Sequence, residues 1–387
     1  MKRPSAERIA EFTAAARRLA VERIDAADLV TQLLRDTPRE NWMSLAERPE
    51  LQTNGALEQV SREIENTLRH QPKDSLPLSA LAVRIADSLA DDQYPAVVMA
   101  QIRAHAWKDR AKALTYNGKH EESLAAIQRA EVLLDQFGTV AHDQAIVALT
   151  KAIALLYVGR FDEALSALEG ARATFAAHGD EQRVVLCGIT MGVVYYRRGD
   201  NVRARDTFRA LLPIAQVIGD DFSLASLHNN LACTLLELGE FRDANIQFSN
   251  AIARCNEAGR KVDALRTEMS CGRLFLAKGK TAEGIERLRS ARDQFLAHGL
   301  AEEAGICGLD IAGALLSEYR HDDAEEIAQL ALHELRDTNL SPRARTALEY
   351  LERELAAHDA TVDVVRHVRD YIESLQSNPD REFIALR

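Results

Sequence analysis

Large apolar side chains recur every three to four residues through most of this chain, and small residues interrupt them at fixed places. The stretch Leu231–Ile252, LACTLLELGEFRDANIQFSNAI, shows the arrangement: Ala232, Gly239, Ala244 and Ala251 are small, while Leu235 and Phe248 fill the intervals. This spacing predicts two amphipathic helices that meet at Gly239. The unit repeats. Gly118, Gly159, Gly199, Gly239 and Gly279 are separated by 41, 40, 40 and 40 residues, and Gly138, Gly179, Gly219, Gly259 and Gly299 form a second series 20 residues behind the first. Each glycine ends one helical stretch and precedes another, a place that favours a residue tolerant of positive φ. Asn339 takes the next place in the second series. The first series ends in Tyr319, which predicts a last turn of different construction.

The remaining small residues predict how the helices meet. Seven residues before each first-series turn stand Ala111, Ala152, Gly192, Ala232, Gly272 and Ala312; five after it stand Ser123, Ala164, Ala204, Ala244, Gly284 and Ala324. Small residues at both places let antiparallel helices approach closely. Twelve residues after the turn, Ala130, Ala171, Ala251, Ala291 and Ala331 face the next unit, and Leu211 departs from the rule. Bulky residues such as Leu155, Tyr195, Leu235 and Phe275 on first helices, and Leu168, Phe208, Phe248 and Leu288 on second helices, fill the space between.

This order of small residue, turn glycine, small residue, aromatic or Leu, and small residue resembles the tetratricopeptide repeat. Asn230-Leu231-Ala232, Leu235, Gly239, Phe241, Ala244, Phe248 and Ala251 stand as in that family's consensus. The period exceeds the usual ~34 residues and the closing proline is absent, which points to the long-helix variety found in bacterial regulators and scaffolds. The resemblance covers residues 101–340 as six helix pairs. It implies an all-α, right-handed superhelical α-solenoid of antiparallel helix pairs. Around it, residues 1–50 form an N-terminal helical module and 51–100 lead-in helices resembling a degenerate repeat. Residues 341–376 form a C-terminal capping pair rich in Arg, Glu and Asp, as terminal units of a stack commonly are. Residues 377–387 form a tail that is expected to fray, although Phe383, Ile384 and Leu386 offer a docking edge.

Composition narrows the function. The net charge of -11 and the lack of a long basic run argue against a nucleic-acid partner. No apolar run approaches the ~18 residues a membrane span needs, and MKRPSAERIA lacks the apolar core of a signal peptide. Five cysteines without a CxxC pair suit free thiols in a reducing cytoplasm.

No motif carries catalytic chemistry. Gly279-Lys280-Thr281 matches the end of a phosphate-binding loop, but Leu274 stands where that motif needs glycine. The pairs His142-Asp143, His321-Asp322 and His358-Asp359 fall at helix starts or turns, where Asp is ordinarily a cap, without a spaced Cys/His cluster. The expectation is a non-enzyme with no cofactor and no metal.

In proteins of this resemblance, first helices line a concave face that binds extended partners. Helical spacing back from each turn assigns Lys108, Lys112, Ile189, Val193, Tyr196, Asn229, Arg266, Met269 and Arg273 to that face. Asn229 can pair with a peptide backbone, and Arg266 and Arg273 can grip a carboxylate. The same positions also suit a different reading: Val193 as core, and the two arginines as surface charges paired with nearby acids. The leading expectation is a protein- or peptide-binding adaptor or scaffold in the cytoplasm, with a homodimer through a terminal repeat left open. Two alternatives stand beside it: a peptide-responsive regulator that switches by tightening its superhelix, and an accessory subunit that completes a partner enzyme.

Overall fold

A computed structural model describes residues 6–70, 72–336, 342–375 and 381–386. Asn339 lies outside them. The described residues contain seventeen α-helices, a few short 3-10 segments and no strand. They form two compact units, residues 1–179 and 180–387.

The first unit contains α1 (Ala6–Asp36), α2 (Asn54–His70), α3 (Ser75–Ser88), α4 (Ala96–Tyr116), α5 (His120–Asp135), α6 (Ala141–Tyr157) and α7 (Phe161–Ala177). Helix α1 is one continuous helix, followed by a 3-10 segment whose Trp42 is buried and donates its indole N–H to the carbonyls of Leu34 and Thr37. One carboxylate fixes α1 against the start of α2. Glu22 accepts from the backbone N–H groups of Asn54 at 3.1 Å and Gly55 at 3.4 Å, and from the Tyr94 hydroxyl at 2.6 Å. An acidic group there satisfies N–H donors that a helix start leaves open and suits its partial positive charge. Gly55 has no substitute at this contact, because a Cβ would stand 2.2 Å from the Glu22 carbonyl oxygen. Burial and the Glu22 hydrogen bond push the Tyr94 phenol up to about 12.

The second unit contains α8 (Glu181–Arg197), α9 (Asn201–Ile218), α10 (Asp221–Glu237), α11 (Phe241–Glu257), α12 (Lys261–Ala277), α13 (Thr281–Ala297), α14 (Ala301–Ser317), α15 (His321–Arg336), α16 (Pro342–Ala356) and α17 (Val362–Leu375). Consecutive helices pack in pairs: α8 on α9, α10 on α11, α12 on α13 and α14 on α15. Phe208, Phe248 and Phe295 are wholly buried within them. The small positions are needed sterically: a Cβ on Gly192 would stand 2.3 Å from the Phe208 ring, and one on Gly272 2.8 Å from Leu288. Leu211 is accommodated by its neighbour. Gly188 on α8 faces it, and a Cβ there would meet Leu211 at 2.8 Å.

Nine glycines of the two series have φ between 69 and 84°. Gly138 is the exception, because the α5–α6 connection spans residues 136–140 and does not need one left-handed residue to reverse the chain. Tyr319 corrects the expectation in the other direction. Its φ is 61°, its N–H bonds to Leu316 and that of Arg320 to Leu315, the same pattern that Gly239 and Glu240 make with Leu236 and Leu235. The turn is the same; a tyrosine occupies it, with its side chain 84% exposed.

Helices α16 and α17 follow the last repeat pair. Helix α17 lies on α14 and buries Val364, Val365, Val368, Tyr371 and Ile372. The expected frayed tail docks through one of its three apolar residues: the Phe383 ring lies 4.9 Å from that of Tyr371 and 5.4 Å from that of Tyr350, while Ile384 stays exposed.

Two stability measurements check this packing. Tyr319→Gly is expected to raise the stability of the chain by about 1 kcal/mol, since it removes the cost of a left-handed β-carbon; an unchanged or lower urea midpoint would count against the turn geometry. Gly188→Ala is expected to cost roughly 1–3 kcal/mol in the native background and to become near-neutral beside Leu211→Ala. Equal losses in both backgrounds would mean that the two residues do not meet.

Candidate binding face

The first helices of the repeats, α4 and α6 in one unit and α8, α10, α12 and α14 in the other, carry all nine residues expected to face a ligand. The two units place them in two separate groups.

In the first unit, both lysines on α4 are engaged by acids. Lys108 Nζ lies 2.6 Å from Asp109, a buried carboxylate that also accepts from the Ser61 hydroxyl. Lys112 Nζ lies 2.5 Å from Glu65 on α2. On the same helix, Gln101 and His105 hold Asp143 of α6 at 2.7 and 2.9 Å. Burial would push the Asp143 carboxyl up, but these bonds and the His105 charge bring it below its usual range. Asp143 therefore ties two first helices together, where the sequence suggested a helix cap.

In the second unit, α8, α10 and α12 succeed one another with side chains of graded character. Ile189 is buried; Val193 and Tyr196 are half-buried against the α8–α12 core, and Met269 against the core that runs on to α17. Burial raises the Tyr196 phenol above its ordinary value and the Cys233 thiol to about 11, so both are neutral at physiological pH. One end of the Asn229 amide meets the Thr267 hydroxyl at 3.3 Å. Its other end, and the Tyr196 hydroxyl, make no hydrogen bond among the described residues.

Both arginines are held by carboxylates of the chain. Arg266 lies 2.6 Å from Glu303. Arg273 bonds through Nε to Asp310 and through Nη2 to Glu373, each at 2.6 Å, and Arg369 of α17 bonds to the other oxygen of Asp310. The Asp310 side chain is 1% exposed, so these four groups join α12, α14 and α17 through a buried acid. Burial alone would lower the Arg273 guanidinium, but Asp310 and Glu373 outweigh it and hold the group above its ordinary value. Sequence reasoning missed Asp310, Arg369 and Glu373. Asp310 did leave a signal, a lone acid within the apolar run GICGLDIAGALL, because a buried carboxylate requires a partner.

Among the described residues, no group of three or more His, Cys, Asp or Glu side chains could hold a metal ion, and no helix is long and apolar enough to cross a membrane. No family model and no curated protein sequence matches the chain. Solved structures do. A Rap protein complexed with competence and sporulation factor is 12% identical, with 85% of this chain and 89% of that one covered and a TM-score of 0.57. The Rap conjugation gene regulator of plasmid pLS20, in complex with a Phr peptide, is 13% identical over 93% of this chain and 99% of that one, at 0.55. Aspartyl phosphate phosphatase F from Bacillus subtilis is 13% identical over 79% and 77%, at 0.56. At these identities the likeness is one of fold, and the fold is a tetratricopeptide-like solenoid of helix pairs.

Asp310→Asn is expected to cost about 1–3 kcal/mol, because it leaves two partly buried arginines with less compensation. Hydrogen exchange of the Val362–Leu375 amides should speed up while α9 and α11 keep their protection; an unaltered α17 would mean that the charge network does not hold it.

Proposed function

We propose that the first-helix face of the second unit binds a peptide, either free or as an extended segment of a partner protein, and that the chain acts by recognition rather than by catalysis. The observation that carries this reading is the combination on α8 and α10 of half-buried apolar side chains, Val193 and Tyr196, with an amide that keeps one end open, Asn229. An amide on an otherwise apolar surface suits a peptide backbone, which offers both a donor and an acceptor. Two structurally similar proteins are held in complex with competence and sporulation factor and with a Phr peptide, which supports the same class of ligand here.

The charge layout refines the ligand. Arg266 and Arg273 already face Glu303, Asp310 and Glu373, so an acidic group would have to compete with the chain's own carboxylates. The preferred ligand is therefore a peptide with apolar side chains read mainly through its backbone. A second reading follows from the same arrangement: an acidic ligand that displaces Glu373 from Arg273 would loosen α17 and make the face a regulatory receptor.

Selection of short random peptides against the full chain, followed by calorimetry of the enriched sequences, tests the proposal. Apolar peptides of micromolar affinity are expected, and Asn229→Ala should weaken them about tenfold, equivalent to ~1.4 kcal/mol, with the thermal midpoint preserved. No enrichment, or binding indifferent to both Asn229→Ala and Tyr196→Ala, would remove the face as the site.

A further inference from the structure

Helix α1 has two unlike faces. Its inward side buries Ala26 and Val30 and packs Leu19, Leu29 and Leu33 against the core of the first unit. The side facing water is not simply polar. Ala14, Arg17, Val21, Ile24, Asp28 and Thr31 are spaced alternately by three and four residues, which places them on one stripe of the helix, as in a coiled-coil seam; the first five are exposed, and Thr31 at its end is half-buried with its hydroxyl donating to the Ala27 carbonyl. Val21 is 58% exposed and Ile24 78% exposed at the centre of that stripe. Arg17 and Asp28, both exposed, bracket them, and neither side chain forms an ion pair or hydrogen bond with another described residue.

We propose that α1 pairs with α1 of a second copy of this chain, antiparallel about a two-fold axis that passes between Glu22 and Arg23. This axis brings Val21 of one copy onto Ile24 of the other, twice, and Arg17 onto Asp28, twice, with Ala14 opposite Thr31. The stripe is self-complementary, the property a two-fold interface requires because the same patch serves both subunits. The charges also select the direction. A parallel pair would set Arg17 against Arg17 and Asp28 against Asp28, whereas the antiparallel pair turns both contacts into attractions. The Glu22 contacts with Asn54, Gly55 and Tyr94 hold the helix in the orientation that keeps this stripe outward. The seam from Ala14 to Thr31 is about 27 Å long at 1.5 Å per residue. A seam this short, with two exposed apolar side chains per copy, is smaller than a standard interface of ~1,600 Å², so a weak, concentration-dependent dimer is expected. This surface is independent of the proposed peptide face, which lies in the other unit.

Sedimentation equilibrium of the full chain over a concentration series tests the pairing. The native chain should pass from monomer to dimer, and Ile24→Asp should stay monomeric over the same range with its helicity and thermal midpoint unchanged, since the side chain is mostly exposed. Arg17→Asp alone and Asp28→Arg alone should each weaken the dimer about tenfold. An equal mixture of those two variants should restore it, because each mixed pair again opposes unlike charges at both contacts. A native chain that stays monomeric, or a dimer indifferent to Ile24→Asp, overturns the proposal. Failure of the mixture to regain affinity overturns the antiparallel register.

Discussion

The distance between paired helices is set by the residues that have the least side chain. Gly192 beneath the Phe208 ring and Gly272 beneath Leu288 leave no room for even one methyl group, so each large residue enters a recess that only a glycine on the facing helix provides. Interiors are packed too densely to absorb such additions without movement. The large Leu211 is fitted in the same way, against Gly188 on the facing helix. The turns follow from the same constraint, since helices this close must reverse within a few residues through one left-handed position.

Close packing also decides the fate of the charges. Asp310 lies among apolar residues of α14, where an unpaired carboxylate would be costly. It takes Arg273 from α12 and Arg369 from α17, and Arg273 in turn takes Glu373. Arg273, which the sequence suggested as a ligand-binding group, and one lone acid thus acquire a structural task, Arg266 is paired with Glu303, and among the residues suggested for the face Asn229 and Tyr196 keep open polar groups. The first unit treats its charges in the same way, with Lys108 on Asp109, Lys112 on Glu65 and Asp143 between Gln101 and His105. The outer stripe of α1 differs from an ordinary solvated helix face in its exposed apolar centre, Val21 and Ile24, set between Arg17 and Asp28.

The helix pairs and their period were legible in the sequence because they depend on local periodicity and on side-chain size, and both are written residue by residue; of the positions expected to face the next unit, Leu211 and Ala331 instead meet Gly188 and Gly308 on the first helix of their own pair. The left-handed glycines and the buried series Ala232, Ala244, Phe248 and Ala251 lie where the 40-residue spacing puts them. Tyr319 showed the limit of that reading: the backbone demand at the turn persists even when the favoured residue is absent, because the helices on both sides impose it. What only the tertiary structure decided is which polar groups remain available. Arg273 and Glu373 are separated by 100 residues and Glu22 and Tyr94 by 72, and no local pattern connects such pairs. Their meeting depends on how whole helices stack, and an ion pair formed at that distance along the chain removes a group from the surface that its own helix would otherwise present to a partner.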